Sequence, residues 1–242
     1  MSCSEAIGPW DAYTVGLLLA DARLPSGGHV SSSGLEPALL AGLDRREVAD
    51  FMRDRAATAA TVDAGAAVVV RRLLLEAATD PGTAADRAER RAGSVRPLVQ
   101  AWAARTPGAA ARQISYELGR GLHRLCHTLW PEAETLTDLE LPAPRPVVLG
   151  AIAAHTGLSA AELARLVIYD DAASAAAALL KLDPGDPAEA MSMAMDACAS
   201  LEHRIADLAA LTDPTQIPYA SAPLSEGWTE RHALNPRRLF RA

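Results

Sequence analysis

The 242-residue sequence predicts an all-α fold, a single-domain bundle of roughly eight to ten helices with an extended C-terminal tail. Half of the residues are hydrophobic, mostly alanine, leucine and valine, whereas aromatic residues make up only 4%. Alanine and leucine favour helices. Apolar residues recur at helical spacing, and the strict alternation of apolar and polar residues that is typical of strands is scarce. We therefore expect a helical domain over residues 1–217 and an extended partner-docking tail over residues 218–242.

The first half of the chain is predicted to form helices separated by short turns. A helix over residues 10–24 ends at an elbow that contains Gly27 and Gly28. The second helix, over residues 34–42, begins at a capping box formed by Ser33 and Glu36. Two further helices are expected, over residues 44–60, which open with an Asp44–Glu47 capping box, and over residues 62–78. Residues 83–106 are rich in arginine and alanine, and Pro97 is expected to interrupt this stretch.

The clearest helical pattern in the second half covers residues 109–130. Gly119 and Gly121 lie inside this helix, where each should cost about 1 kcal/mol relative to alanine, so they indicate a neighbour that approaches closely. A short helix is expected to end near Gly157, a longer one to begin at Ser159, and a last one to cover residues 188–211, with its methionines in the core. The apolar positions that we expect to be buried are Leu118, Leu122, Leu166 and Ile205.

The charge and the cysteine content limit the possible classes of function. The formal charge is −7, whereas nucleic-acid-binding domains usually carry a basic surplus. Cys3, Cys126 and Cys198 are odd in number and widely spaced, as in proteins of a reducing compartment. No apolar run approaches the roughly 20 residues of a membrane span, and the first residues lack a basic, apolar signal region. These features indicate a cytoplasmic protein that binds neither nucleic acid nor membrane.

The elbow between the first two helices carries the most specific motif of the chain. It reads Leu24-Pro25-Ser26-Gly27-Gly28, followed by Ser31, Ser33 and Gly34-Leu35-Glu36. This motif resembles the signature of the UreF family of urease accessory proteins, which has Leu-Pro-Ser/Thr-Gly-Gly, an aromatic residue, and then Ser and Gly-Leu-Glu. His29 stands where the aromatic residue is common in the family.

Three later stretches resemble the same family in the same order. The 109–130 helix resembles the family's pattern of arginine, small residues, glycine and leucine. Residues 146–150 resemble the next motif of the family, although Arg145 stands where a histidine is usual. The tail matches in a Ser-x-Pro, a histidine and an Arg-Leu-Phe ending. The corner at residues 181–187 departs from the family's Pro-Leu-Gly-Gln, of which only Pro184 and Gly185 remain. The matching positions outside the elbow are Arg112, Ser115, Gly119, Leu122, Ser221, Pro223, His232, Arg238, Leu239 and Phe240.

The resemblance implies a non-catalytic protein without a cofactor or a metal of its own. Members of the UreF family bridge UreD, which is called UreH in some systems, and the GTPase UreG. With these partners they help to deliver nickel to apo-urease (UreABC), and they commonly form homodimers within the complex. The residues implied in partner binding are Leu24, Pro25, Ser26, Gly27, Gly28, Ser31, Ser33, Gly34, Glu36, Arg112, Ser115, Gly119, His232, Arg238, Leu239 and Phe240.

Two other classes of function stay open from the residues alone. An arginine such as Arg112 or Arg120 could stabilise transition-state charge in a partner GTPase, which would make the protein a GTPase-activating regulator. His123 and His127 share one helix face beside Cys126, as in a small helical metal-dependent enzyme. The alternative for both sets is that they are ordinary polar residues on a helix surface.

The tail combines helix-breaking prolines with large apolar side chains and arginines. Such a segment is suited to becoming ordered on a partner, where Leu239 and Phe240 would fill a pocket and arginines would pair with acidic groups. The alternative is that the tail packs back on the protein's own helices.

Overall fold

Helices make up most of this computed structural model, which describes residues 10–25, 31–79, 81–236 and 238–240. None of the described residues forms a β-strand, and the all-α prediction is confirmed. The α-helices are α1 (Ala12–Ala20), α2 (Leu35–Leu40), α3 (Val48–Arg55), α4 (Thr61–Thr79), α5 (Ala84–Arg105), α6 (Ala109–Leu129), α7 (Glu134–Thr137), α8 (Arg145–Thr156), α9 (Ala160–Leu182), α10 (Pro187–Ser200), α11 (Ile205–Ala209) and α12 (Pro223–Ala233). Among them, none is long and apolar enough to cross a bilayer.

The helix starts follow the capping residues in most places. The capping boxes at Asp44 and Ser159 form as predicted, and a third forms at Thr83. Pro97, by contrast, does not interrupt α5, which continues to Arg105. The side chains of Leu98 and Trp102 are almost fully buried on the same helix, and this packing outweighs the cost of the proline.

The predicted break between residues 60 and 62 is absent. A π-helical turn over Ala56–Ala60 joins α3 to α4 instead, so that the chain is helical from Val48 to Thr79. Thr61 Oγ1 donates a hydrogen bond to the carbonyl oxygen of Ala56 at 2.7 Å, which satisfies one acceptor in this wider turn.

Helix α4 occupies the centre of the fold and packs against α5, α8 and α9. It approaches α8 closely because Gly150 has no side chain. A Cβ atom at Gly150 would lie 2.5 Å from the carbonyl oxygen of Ala67 and 2.7 Å from Val70 Cβ. The alanine-rich half of α9 is likewise largely buried, which agrees with the close packing expected of small side chains.

Three of the four apolar positions expected in the core are buried: Leu122, Leu166 and Ile205. Leu118 is only half-buried, because it lines a cavity that is partly open to solvent. The core role expected for the methionines of α10 is wrong for Met191 and Met195, whose side chains are 38% and 54% exposed. The helix predicted over residues 188–211 is divided at Leu201 by a 3₁₀ turn.

The C-terminal tail is extended only in part, because residues 223–233 form α12. Pro223 stands in its first turn, where proline is well tolerated. This helix packs against α2 and α6, and Ile217, just before it, is fully buried. Arg105 Nε donates to the carbonyl oxygen of Ile217 at 2.8 Å. The tail therefore packs on the protein's own helices, which was the alternative to order gained on a partner.

Candidate functional site

The second half of the elbow turns sharply into α2. Ser33 and Gly34 both have left-handed backbone angles, with φ of 49° and 78°. This conformation is easy for glycine and costly for serine, so the turn is held by its surroundings. The Ser33–Glu36 capping box does not form, because the Glu36 carboxylate bonds elsewhere. Ser32 Oγ instead accepts a hydrogen bond from the Glu36 amide at 3.2 Å.

Glu36 is the residue on which the elbow and the tail converge. Its side chain is almost completely buried, and its two carboxylate oxygens accept hydrogen bonds from the backbone amides of Leu239 and Phe240, each at 2.7 Å. Nε2 of the buried His232 lies 3.1 Å from Glu36 Oε2, although without hydrogen-bond geometry. A buried carboxylate needs such partners to offset its desolvation. We call this set of four residues the Glu36 junction.

The Glu36 junction orients neighbouring tail side chains in opposite directions. Phe240 is 3% exposed, and the ammonium group of Lys181 lies 5.1 Å from its ring centroid. Leu239, in contrast, is 65% exposed. Arg238 is also exposed, and its guanidinium donates to the carbonyl oxygen of Ala233 at 3.3 Å. Of the Arg-Leu-Phe ending, therefore, the first two side chains face outward and the third anchors the tail.

Helix α12 connects this junction to α6. Glu230 Oε1 accepts a hydrogen bond from the Ala110 amide at 2.7 Å, and thus satisfies a free N–H at the start of α6. The α12 side chains Trp228 and Arg231 line a surface groove together with Leu40 of α2, which is 64% exposed. This groove, of about 190 Å³, is the α2–α12 groove.

The family-like residues of α6 support contacts of the chain with itself, and of those in the partner-binding prediction Ser115 and Gly119 are buried whereas Arg112 is half-buried. Arg112 Nη1 donates to the carbonyl oxygens of Thr106 and Pro107, both at 2.7 Å, so that its guanidinium supports the turn before α6. Ser115 is buried, and its hydroxyl accepts a hydrogen bond from the Arg145 amide at 3.2 Å. A Cβ atom at Gly119 would clash with the carbonyl oxygen of Ala143, which confirms the close neighbour expected at this glycine.

Beneath the elbow lies a partly open cavity that sequence reasoning missed. This charged cavity has a volume of about 100 Å³. Arg55 Nη2 lies 2.9 Å from Asp171 Oδ1, and Arg145 Nη2 lies 2.7 Å from Asp170 Oδ2. The available signal was that Asp63, Asp170 and Asp171 interrupt otherwise apolar helical runs. The hydroxyl-bearing residues around the cavity are Ser31, Ser33, Ser115 and Ser174.

Burial changes the acidity of two carboxyl groups in the charged cavity. It raises the pKa of Asp63 to about 6, although the hydrogen bond from Trp102 Nε1 at 2.7 Å opposes that change. Burial also raises the pKa of Asp170, against the attraction of Arg145. Both effects arise because a low-dielectric surrounding disfavours the ionised form.

The histidine pair of α6 is placed at its surface. The ring centroids of His123 and His127 are 6.3 Å apart, and His123 Nε2 lies 3.1 Å from the carbonyl oxygen of Leu136. Cys126 points into the core, where burial raises the pKa of its thiol to about 12. Within the described ranges, His, Cys, Asp and Glu side chains form no group of three that could hold a metal ion.

Of the remaining elbow residues, Leu24 is half-buried and Pro25 is exposed. Ser26, Gly27, Gly28 and His29 lie outside the described residues. Sequence reasoning did not identify two residues that hold the predicted positions in place, Lys181 and Glu230. Their partners are more than 50 residues away along the chain, and no local pattern marks such contacts.

A family model and individual related proteins both indicate the same family for this chain. The UreF family model matches residues 43–198. The urease accessory protein UreF of Mycobacterium sp. (strain JLS) is 35% identical over 229 residues, which cover 93% of this chain and 96% of that protein. The UreF of Mycolicibacterium vanbaalenii is 36% identical over 230 residues, with the same coverage. That of Mycobacterium tuberculosis (strain ATCC 25177 / H37Ra) is 33% identical over 233 residues. The chain therefore belongs to the UreF family of urease accessory proteins.

Proposed function

We propose that this chain is a non-catalytic scaffold that bridges UreD (UreH in some systems) and the GTPase UreG during urease maturation. In this role it helps to insert nickel into apo-urease (UreABC), in the cytoplasm and as a homodimer within the complex. Its contribution is to hold partner proteins in a fixed arrangement. The Glu36 junction is the observation that carries the proposal, since it brings the elbow and the tail, which are far apart in sequence, onto one surface.

The surface around the Glu36 junction supports a docking role. Leu40, Leu234 and Leu239 are 64%, 85% and 65% exposed, although they are large apolar side chains. Their neighbours on the tail include the exposed Arg231 and Arg238. Protein interfaces commonly combine an apolar centre with arginines, and here both lie on backbone that the junction and α12 hold in place.

The experiment is co-purification of the tagged chain with UreD, followed by addition of UreG. Replacing Leu40 and Leu239 with aspartate places charges on the proposed surface and should abolish capture of UreD. The matched control is Met195→Asp, which changes an equally apolar side chain, 54% exposed, on α10. Equal capture by the double variant and the control, with unchanged thermal melts, would remove the docking role from this surface.

A second candidate is a GTPase-activating regulator that acts through an arginine. The guanidinium of Arg112 already donates hydrogen bonds to two backbone carbonyl oxygens. Arg120 is exposed on α6, and among the described residues its guanidinium has no hydrogen bond or ion pair. A free guanidinium is what such a mechanism requires. GTP hydrolysis by UreG is then measured with the wild-type chain, with Arg120→Ala, and with Arg124→Ala as a control on the same helix. Loss of stimulation with Arg120→Ala alone would favour this candidate.

A further inference from the structure

The charged cavity contains one more carboxyl group than its guanidinium groups can match. Arg55 pairs with Asp171, and Arg145 pairs with Asp170. Asp63 is left without an ion pair among the described residues, although it borders the same cavity. Asp63 is half-buried, and a carboxylate that has lost part of its hydration without gaining an ion pair is costly unless it is protonated or strongly hydrogen-bonded.

The groups that face Asp63 come from several helices. From α5, Trp102 Nε1 donates a hydrogen bond to Asp63 Oδ1 at 2.7 Å. On its other side, Asp63 borders a second cavity, of about 110 Å³, whose wall also contains Arg105 and Glu226. The negative charge of Asp171 on α9 opposes ionisation of Asp63, whereas the arginines of the charged cavity favour it.

We propose that the charged cavity is a proton-responsive lock, in which protonation of Asp63 tightens the packing of α4 against α5 and α9. The neutral form removes repulsion between Asp63 and Asp171 and leaves Arg55 to pair with Asp171 alone. The ionised form introduces an unmatched charge between these helices and favours entry of water into the cavity. This inference is independent of the proposed scaffold role, because it concerns the folded chain itself.

The direction of the pH dependence follows from the acidity of Asp63. Burial raises the pKa of this group to about 6, above its ordinary value of 3.8. The folded chain thus holds the proton more tightly than the unfolded chain does. The stabilisation is complete below the ordinary value and is lost as the pH rises through about 6.

The experiment is a pH titration of the full chain, labelled with ¹³C at the aspartate side-chain carboxyl carbon and followed by NMR. We expect an aspartate resonance with a midpoint near pH 6 that disappears in Asp63→Asn. The matched control is Asp196→Asn, which removes an exposed carboxyl group on α10 and should leave that resonance in place.

A second variant keeps the test decisive if Asp63→Asn does not fold. Trp102→Phe removes the N–H that stabilises the ionised carboxylate, so the midpoint of the Asp63 resonance should move to higher pH. The spectrum of the wild-type chain can overturn the proposal alone. If the Asp63 carboxyl in the folded chain titrates below about pH 5, the lock does not exist.

Discussion

The Glu36 junction provides the sharpest test of how the tail is held. Replacing Glu36 with alanine removes both acceptors for the amides of Leu239 and Phe240. Hydrogen bonds to a charged group contribute roughly 1.5–3 kcal/mol each, so the two together contribute roughly 3–6 kcal/mol. The conformational entropy that the tail gains on opening is the same in both chains and cancels in the comparison. The variant should therefore release the tail more easily by at least about 3 kcal/mol, which corresponds to an increase of more than roughly 100-fold in the open population.

Amide hydrogen exchange measures this release directly, because the amides of Leu239 and Phe240 are the donors. We expect both to exchange more than roughly 100-fold faster in Glu36→Ala, while the amides of α4 and α9 stay protected. Glu36→Gln should show a smaller effect, since its amide oxygen can still accept one hydrogen bond. Glu140→Ala, which removes an exposed carboxylate, is the control. Unchanged exchange at both amides in Glu36→Ala would refute the view that this carboxylate holds the tail.

The remaining predictions concern the interior and the histidine pair. Gly119→Ala should lower the free energy of unfolding by about 1–3 kcal/mol, because the added methyl group meets backbone atoms of the 143–145 segment. Gly93→Ala on α5 has open space around it and should raise the free energy of unfolding by about 0.5–1 kcal/mol. Urea denaturation measures both changes. Asp63→Asn should stabilise the chain at pH 7.5 by up to about 3 kcal/mol, with no such gain near pH 4, as followed by urea denaturation at both values. Replacing His123 and His127 together with alanine should leave urease activation by the complete accessory system largely intact, and loss of a stoichiometric nickel ion from the purified double variant would contradict this expectation.

Local signals predicted most of the helix starts but not the interactions made over long distances. The capping boxes at Asp44 and Ser159 form because both partners lie within one turn of the chain. Ser33 and Glu36 have the same spacing, yet Glu36 serves the tail, more than 200 residues later in the sequence. Because the Glu36 carboxylate has stronger partners in the tail, it does not form the local capping box. No sequence pattern within four residues indicates which of the two sets of partners this carboxylate binds.

The candidate site was only partly visible in the sequence for a related reason. The resemblance in the elbow and the tail identified Glu36 and Phe240, but not their contact. Pro97 was expected to interrupt the stretch over residues 83–106, whereas burial of Leu98 and Trp102 keeps α5 continuous. Asp63 gave a weak signal as an acidic residue in an apolar run. Its charged neighbours in the cavity come from three other helices, α3, α8 and α9, and their meeting depends on the tertiary fold.

The contact between Lys181 and Phe240 has a practical consequence for labelling chemistry. Of the 23 basic residues in the chain, Lys181 is the single lysine. Its ammonium group lies over the ring that anchors the tail. An amine-selective dye therefore has one side-chain target in the whole protein, at the position where the tail meets the body. Fluorescence from a dye at this position would report departure of the tail from the body without any engineered attachment site.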